Sequence, residues 1–313
     1  MINSKLLLKS LLIPIFCLQA CQKSAENTPS LNETVTAEAA PTLEELVESN
    51  DLEAFAALAR KQARKTTPRV SLSEVGEFVR SNDTIYWPEG AGPFPAVLFF
   101  HGCSGRTVSH EIDWAKRYND IGIALISVDS LTGRNLEWDD VCNLKKLLPW
   151  ERANDVLSTI DFAKTHEKIK GDALYLSGFS HGAMTVWATL GFASTQTAPI
   201  GLDKWPDTGL DGVQGAFLFY GSCMGDWDVN IDTTLFLGRD DLYIDEAGCE
   251  AYLETHPDTA GPLKVTIFDK ATHTFDHATP NASNVEAGSI YDEAATLASW
   301  DRIQDVIRKS NTK

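Results

Sequence analysis

The run Ala173-Leu174-Tyr175-Leu176-Ser177-Gly178-Phe179-Ser180-His181-Gly182 constrains this chain more than any other stretch. An apolar segment leads into Gly-x-Ser-x-Gly, and a helical stretch over 181–190 follows. That context marks a serine on a sharp, strained strand-to-helix turn. Glycine is needed on both sides, because a Cβ at Gly178 or Gly182 would collide with the neighbouring strand and helix. The turn pushes the Ser180 hydroxyl into the open. The next helix aims its N-terminus at whatever negative charge develops there. Ser180 is therefore the candidate nucleophile.

The flanking sequence predicts the sheet that such a turn requires. Short apolar runs at 96–100, 123–128, 173–177, 215–220, 234–237 and 265–268 read as strands. Helical patterns at 113–121, 152–163, 181–190 and 291–309 separate or follow them. Val79 and Ile85-Tyr86-Trp87 read as early antiparallel strands. Strands alternating with helices predict an α/β fold with a mostly parallel central sheet and helices on both faces. At 313 residues and 43% hydrophobic content the chain fits one large domain, expected over 67–313. A helical segment at 43–66 precedes it, with Leu43, Leu46 and Val47 and then Leu52, Phe55 and Ala59 at helical spacing; it is expected to pack on the domain. Residues 130–150 and 194–212 fall outside the repeating pattern and read equally as pocket walls or as plain surface loops.

The first 42 residues read as processing and tether. Lys5 and Lys9 precede a short apolar run that ends in Leu18-Gln19-Ala20-Cys21. This resembles the lipobox of bacterial lipoproteins, which implies a signal peptide at 1–20 and a lipid on Cys21. Gln22, rather than Asp, follows the cysteine, so the expected address is the cell envelope, at the periplasmic face of the outer membrane. Residues 21–42, rich in Ser, Thr, Glu, Asn, Ala and Pro, are expected to form a disordered tether. The formal net charge is -17, and loss of Lys5 and Lys9 makes it more negative still. Such a balance excludes nucleic acid as a partner. Four cysteines remain beyond Cys17 and Cys21. In an exported protein they imply disulfides, with three pairings open. No Cys-x-x-Cys spacing points to zinc.

Chemistry at Ser180 needs an oxyanion site, a base and an acid. His101-Gly102-Cys103-Ser104-Gly105 directly follows the strand at 96–100 and fits an oxyanion loop. The amides of Cys103 and His181 are the two expected donors, while the His101 ring braces backbone. In this kind of fold the acid and then the histidine follow the serine. Asp240 and Asp241 both stand after the strand at 234–237, with Asp245 a more distant candidate. Among seven histidines, His273 follows the last strand and is the expected base, with His277 as the alternative. His181 adjoins the serine but should point away. His110, His166 and His256 have no supporting motif. His273 and His277, four apart, also admit reading as a metal pair, which would need a helix there and a third ligand.

At these residues the chain resembles the dienelactone hydrolase family, and its exported members in particular. The likeness spans about 79–275. It rests on Pro93-Phe94-Pro95-Ala96-Val97 leading to the His101–Gly105 loop, Val128-Asp129-Ser130 with Arg134 and Cys142, Arg152 and Asp155, the elbow at Ser180, Phe219-Tyr220 with Cys223, and Gly238 to Asp241 with Cys249. The resemblance implies an α/β-hydrolase fold. It places the acid three residues after Gly238, at Asp241, and the base at His273 in Ala-x-His-x-Phe. It also implies the pairs Cys103–Cys142 and Cys223–Cys249. The enzyme that names the family has a cysteine nucleophile where this chain has Ser180, so the expectation shifts from dienelactones to general carboxylic esters, small or surface-attached. Neither cofactor nor metal is implied. The alternatives are a peptidase or thioesterase on the same fold, and a non-catalytic scaffold that binds a ligand or partner.

Overall fold

A computed structural model describes residues 41–48, 52–223, 225, 227–244, 246–255, 263–280, 284–285 and 288–310. The expected signal peptide, Cys21 and nearly all of the tether lie outside the described residues, as do Asp245 and His256.

Seven strands form one sheet: β1 (Thr84–Tyr86), β2 (Phe94–Phe100), β3 (Ala124–Val128), β4 (Ile169–Phe179), β5 (Val213–Phe219), β6 (Asp232–Gly238) and β7 (Leu263–Phe268). Their spatial order is β1-β3-β2-β4-β5-β6-β7. Only β1 runs antiparallel to its neighbour, and every other pairing is parallel. Helices α1 (Leu43–Glu48), α2 (Leu52–Thr66), α3 (Leu72–Val79), α4 (Val108–Asn119), α5 (Trp138–Cys142), α6 (Pro149–Thr165), α7 (His181–Thr195), α8 (Glu246–Thr255) and α9 (Glu293–Ser310), with a 3-10 turn at Thr132–Arg134, complete the described elements.

Period-2 alternation along the strands builds two cores. Leu98, Leu176, Leu218 and Leu235 face Val156 and Ile160 of α6 and Val186 and Leu190 of α7. Phe99, Tyr175, Phe217 and Phe236 face Trp114 and Tyr118 of α4 and Ile303 and Val306 of α9. Each buried large side chain contributes about 1.5–3 kcal/mol of transfer free energy. Both faces are covered, which is why the strands read as continuous apolar runs.

Strand order sets the site. The chain leaves β2 for α4 and β3 on one side, and leaves β4 for α7 and β5 on the other. The carboxyl ends of β2 and β4 are thus adjacent while their loops diverge, the arrangement that opens a crevice in parallel sheets.

One expectation changes, and one open choice is decided. Val79 ends a helix rather than starting a strand. Ser71 and Glu74 form a capping box at its start, the Ser71 N–H reaching the Glu74 carboxylate at 2.8 Å; such boxes fix a helix entrance. The stretch 194–212 packs away from the loops carrying Ser180, Asp241 and His273. Ile200 N–H meets the Trp150 carbonyl, Asn154 meets the Ile200 carbonyl, and Leu202 bridges Val70. The N-terminal segment packs on the domain as expected: Leu46, Phe55, Ala56 and Ala59 bury against Trp150, Ala153 and Phe192.

The turns after β6 and β7 touch backbone to backbone. Asp240 N–H donates to the Ala271 carbonyl at 3.1 Å, and a Cβ added at Gly238 would lie 2.1 Å from that carbonyl oxygen. Gly238→Ala is expected to cost about 3 kcal/mol, at the upper end for overpacking. Urea unfolding checks it; a midpoint equal to wild type would contradict the contact.

Candidate active site

Ser180 stands between β4 and α7 with φ 52° and ψ −117°. A non-glycine residue there stores strain and persists only when its surroundings hold it. Those surroundings are the two glycines: a Cβ at Gly178 would lie 2.4 Å from the Gly182 carbonyl oxygen, and one at Gly182 would lie 2.1 Å from the Phe100 carbonyl oxygen. The Ser180 N–H is tied to the Phe219 carbonyl at 2.9 Å.

The expected partners meet this serine. His273 Nε2 lies 3.0 Å from Ser180 Oγ, and His273 Nδ1 lies 2.8 Å from Asp241 Oδ2. The other oxygen of Asp241 accepts the N–H groups of Tyr243 and Ile244 at 2.8 and 3.0 Å. This fixes the carboxylate, whose side chain is 1% exposed. Asp240 is exposed and points elsewhere, its own N–H serving the turn. The choice left open between the two neighbours thus falls on Asp241. The His273 ring lies between two tyrosines, buried Tyr220 with centroids 4.7 Å apart and exposed Tyr243 at 5.1 Å.

The loop after β2 lies against the serine: a Cβ at Gly102 would sit 3.5 Å from Ser180 Cβ. Among the described residues no acceptor takes the Cys103 N–H. His181 opens α7, where first-turn amides lack intrahelical partners. The His101 ring braces backbone, donating from Nδ1 to the Gly102 carbonyl at 2.6 Å and accepting the Ser130 N–H at Nε2. Both expected bridges are formed, Cys103–Cys142 and Cys223–Cys249.

Beneath the loop lies a residue whose role the sequence did not disclose. Arg152 is fully buried and donates to the His101 carbonyl and Ser130 Oγ, each at 2.8 Å, and to His181 Nδ1 at 3.2 Å. Burial lowers its pKa to about 10, with Asp155 opposing. Asp155 itself is bound by Arg134 at 2.5 Å. Burial first, and then Arg152, keep the rings of His101 and His181 well below the usual histidine range. Both rings are therefore neutral.

A second polar cluster stands behind Tyr220. The Tyr220 hydroxyl donates to Asp276 Oδ1 at 2.8 Å; Trp114 Nε1 and His110 Nε2 reach Oδ2 at 2.8 and 2.7 Å. Burial alone would raise this carboxyl, but His110, His277 and the tyrosine outweigh it and hold it well below the carboxylate range. His110 and His277 stack at 3.7 Å. His277 thus belongs to this cluster and not with His273, which removes the metal-pair reading. His110, Asp276 and His277 lie close enough to hold an ion, but the Asp276 oxygens already have three protein donors. The i, i+4 spacing of His110 and Trp114 on one helix face was the available signal for this cluster.

Neither a protein-family profile nor a curated protein sequence matches this chain. Solved structures do. A Klebsiella pneumoniae protein provisionally named a dienelactone hydrolase is 16% identical, with TM-score 0.54 over 70% of this chain and 89% of that one. A dienelactone hydrolase-like promiscuous phosphotriesterase from metagenomic libraries is 17% identical, with TM-score 0.53 over 72% and 91%. Esterase 2 of Thermogutta terrifontis, phosphorylated by paraoxon, is 14% identical, with TM-score 0.53 over 72% and 88%. The fold is that of the α/β-hydrolases. Identities this low carry the fold and nothing finer.

Burial, with His110 adding to it, pushes the His277 pKa down to about 3. An unfolded chain protonates this ring near pH 6.5. Stability present above about pH 6.5 is therefore lost as pH falls toward 3, because unfolding takes up a proton in that window. His277→Asn is expected to flatten the dependence of Tm on pH between those values. Thermal melts across that range check it; an unaltered slope would count against the buried neutral ring.

Proposed function

We propose that the chain is a serine hydrolase that cleaves carboxylic esters through an acyl-enzyme. The observation that carries this reading is the hydrogen-bonded line from Ser180 through His273 to Asp241, at 3.0 and 2.8 Å. Neutral His273 takes the Ser180 proton as Oγ attacks the ester carbonyl. Asp241 orients the ring and stabilises the imidazolium. The amides of Cys103 and His181 receive the oxyanion, each such donor being worth about 2.7–4 kcal/mol. His273 returns its proton to the departing alcohol. Water, deprotonated by the same ring, then releases the acid.

The surroundings favour esters with an apolar part. Leu242 and Tyr243 follow Asp241 and are 80% and 60% exposed; Ile290, 67% exposed, is hydrogen-bonded through its backbone to Thr272 beside His273. On this reading Cys21 carries lipid and holds the domain at the periplasmic face of a bacterial outer membrane, where small or surface-attached esters reach it.

Ser180→Ala is expected to abolish labelling by a fluorophosphonate probe. Asp241→Asn is expected to lower kcat on p-nitrophenyl acetate by roughly 10²–10⁴-fold, by loss of the correct tautomer. Equal labelling of wild type and Ser180→Ala would reject the nucleophile. For the anchor, Cys21→Ser is expected to remove radiolabelled palmitate from the chain and shift it from the membrane to the soluble fraction. Unchanged membrane retention with no palmitate on either form would reject the lipid.

A further inference from the structure

The residue proposed to supply the loop's oxyanion amide is covalently tied to another part of the chain. Cys103 is bonded to Cys142, with Cα atoms 4.8 Å apart. Arg106, directly after Gly105, anchors the far end of the loop through Glu111, Thr84 and the Asn82 carbonyl, and the restraints between Gly102 and Gly105 are few. Gly105 N–H meets the Gly102 carbonyl at 3.3 Å, and the Gly102 carbonyl also takes the His101 ring. Arg152 holds the loop one residue before Gly102, through the His101 carbonyl. Gly105 sits at φ +88°. A loop bracketed by glycines has a wide range of backbone conformations to lose. Cys142, by contrast, ends a helix whose place is fixed. Val141 beside it is fully buried, and the turn before that helix is pinned by the Arg134–Asp155 pair on α6.

We propose that Cys142 is a positioning residue for this reaction: through its bond to Cys103 it holds the oxyanion-binding amide in place, so turnover depends on the bridge while substrate capture does not. This rests on the ester-hydrolase reading above. The donor itself is main chain, so the double variant Cys103→Ala/Cys142→Ala keeps the amide and removes only the tether. A donor displaced by about 1 Å can cost on the order of 10²-fold in rate. The second bridge, Cys223–Cys249, connects the chain after β5 to α8 and leaves the loop after β2 untouched. It serves as the internal control.

The test compares the full chain with each double variant on p-nitrophenyl acetate, alongside thermal melts and affinity for a trifluoromethyl ketone. That ketone accepts Ser180 Oγ to form a hemiketal whose oxygen bears the negative charge, while the serine proton passes to His273. The Cys103→Ala/Cys142→Ala variant is expected to lose at least roughly ten-fold in kcat with KM within about two-fold, and to lose ketone affinity in parallel. The Cys223→Ala/Cys249→Ala variant is expected to keep kcat. A kcat within about two-fold of wild type, a loss carried by KM, or an equal fall in the control variant would each overturn the proposal. Should the variant not fold, the Cys223→Ala/Cys249→Ala variant, which keeps only the Cys103–Cys142 bridge, is treated with dithiothreitol instead. The reagent closes to its cyclic disulfide as the bridge becomes two thiols. A kcat that falls and returns on reoxidation supports the tether, whereas a kcat kept with the Cys103 thiol free refutes it. A wild type that turns over no ester and takes no fluorophosphonate at Ser180 sinks the hydrolase reading and this proposal together. An active wild type with an unaffected double variant sinks the tether alone.

Discussion

The site depends on how closely α7 can approach β2. At Gly182 the helix backbone comes so near the Phe100 carbonyl that any side chain would intrude, and at Gly178 the strand leaves the same absence of room for its own helix. These contacts hold Ser180 in a conformation it would not adopt alone. They also bring the end of β2, and the loop it releases, to the mouth of the elbow. Ser180 and the His101–Gly105 loop are therefore neighbours because of backbone packing rather than attraction between their side chains.

Two buried polar assemblies flank that packing, and they differ in charge. Under the loop, Arg152 is a cation whose direct hydrogen-bond partners are a carbonyl, a hydroxyl and a neutral ring. Behind the histidine, Asp276 is an anion held by a hydroxyl, an indole N–H and an imidazole. Buried charges persist only when such donors or acceptors replace water. Here each charge also fixes parts of the site. Arg152 holds the His101 carbonyl, and Asp276 fixes Tyr220, whose ring packs on His273.

Much of this could be read along the chain, for identifiable reasons. The strands at 96–100 and 173–177 were plain because both faces of a parallel sheet are covered, which leaves uninterrupted apolar runs. The elbow was plain because its glycines have no alternative. The choice of Asp241 over Asp240 needed the family resemblance, since adjacent residues on a turn differ only in direction, and direction comes from the Tyr243 and Ile244 amides. The helix Leu72–Val79 was missed although Ser71 and Glu74 spell its cap. The role of Arg152, though the residue was named, and the Asp276 cluster were not legible because their partners, such as Ser130 or His110, are distant in sequence. Beyond the i, i+4 spacing of His110 and Trp114, no local pattern encodes such pairings.

The turns after β6 and β7 are stitched together by their main chains, so Asp241 and His273 belong to one rigid corner. Ser180 belongs to a different piece, the β4–α7 joint, with β5 intervening. The hydrogen-bonded line from Ser180 through His273 to Asp241 therefore has a stiff half and a compliant half. A sliding displacement across the sheet would stretch the serine–imidazole link long before disturbing the imidazole–carboxylate one, which makes the former the natural point of mechanical failure.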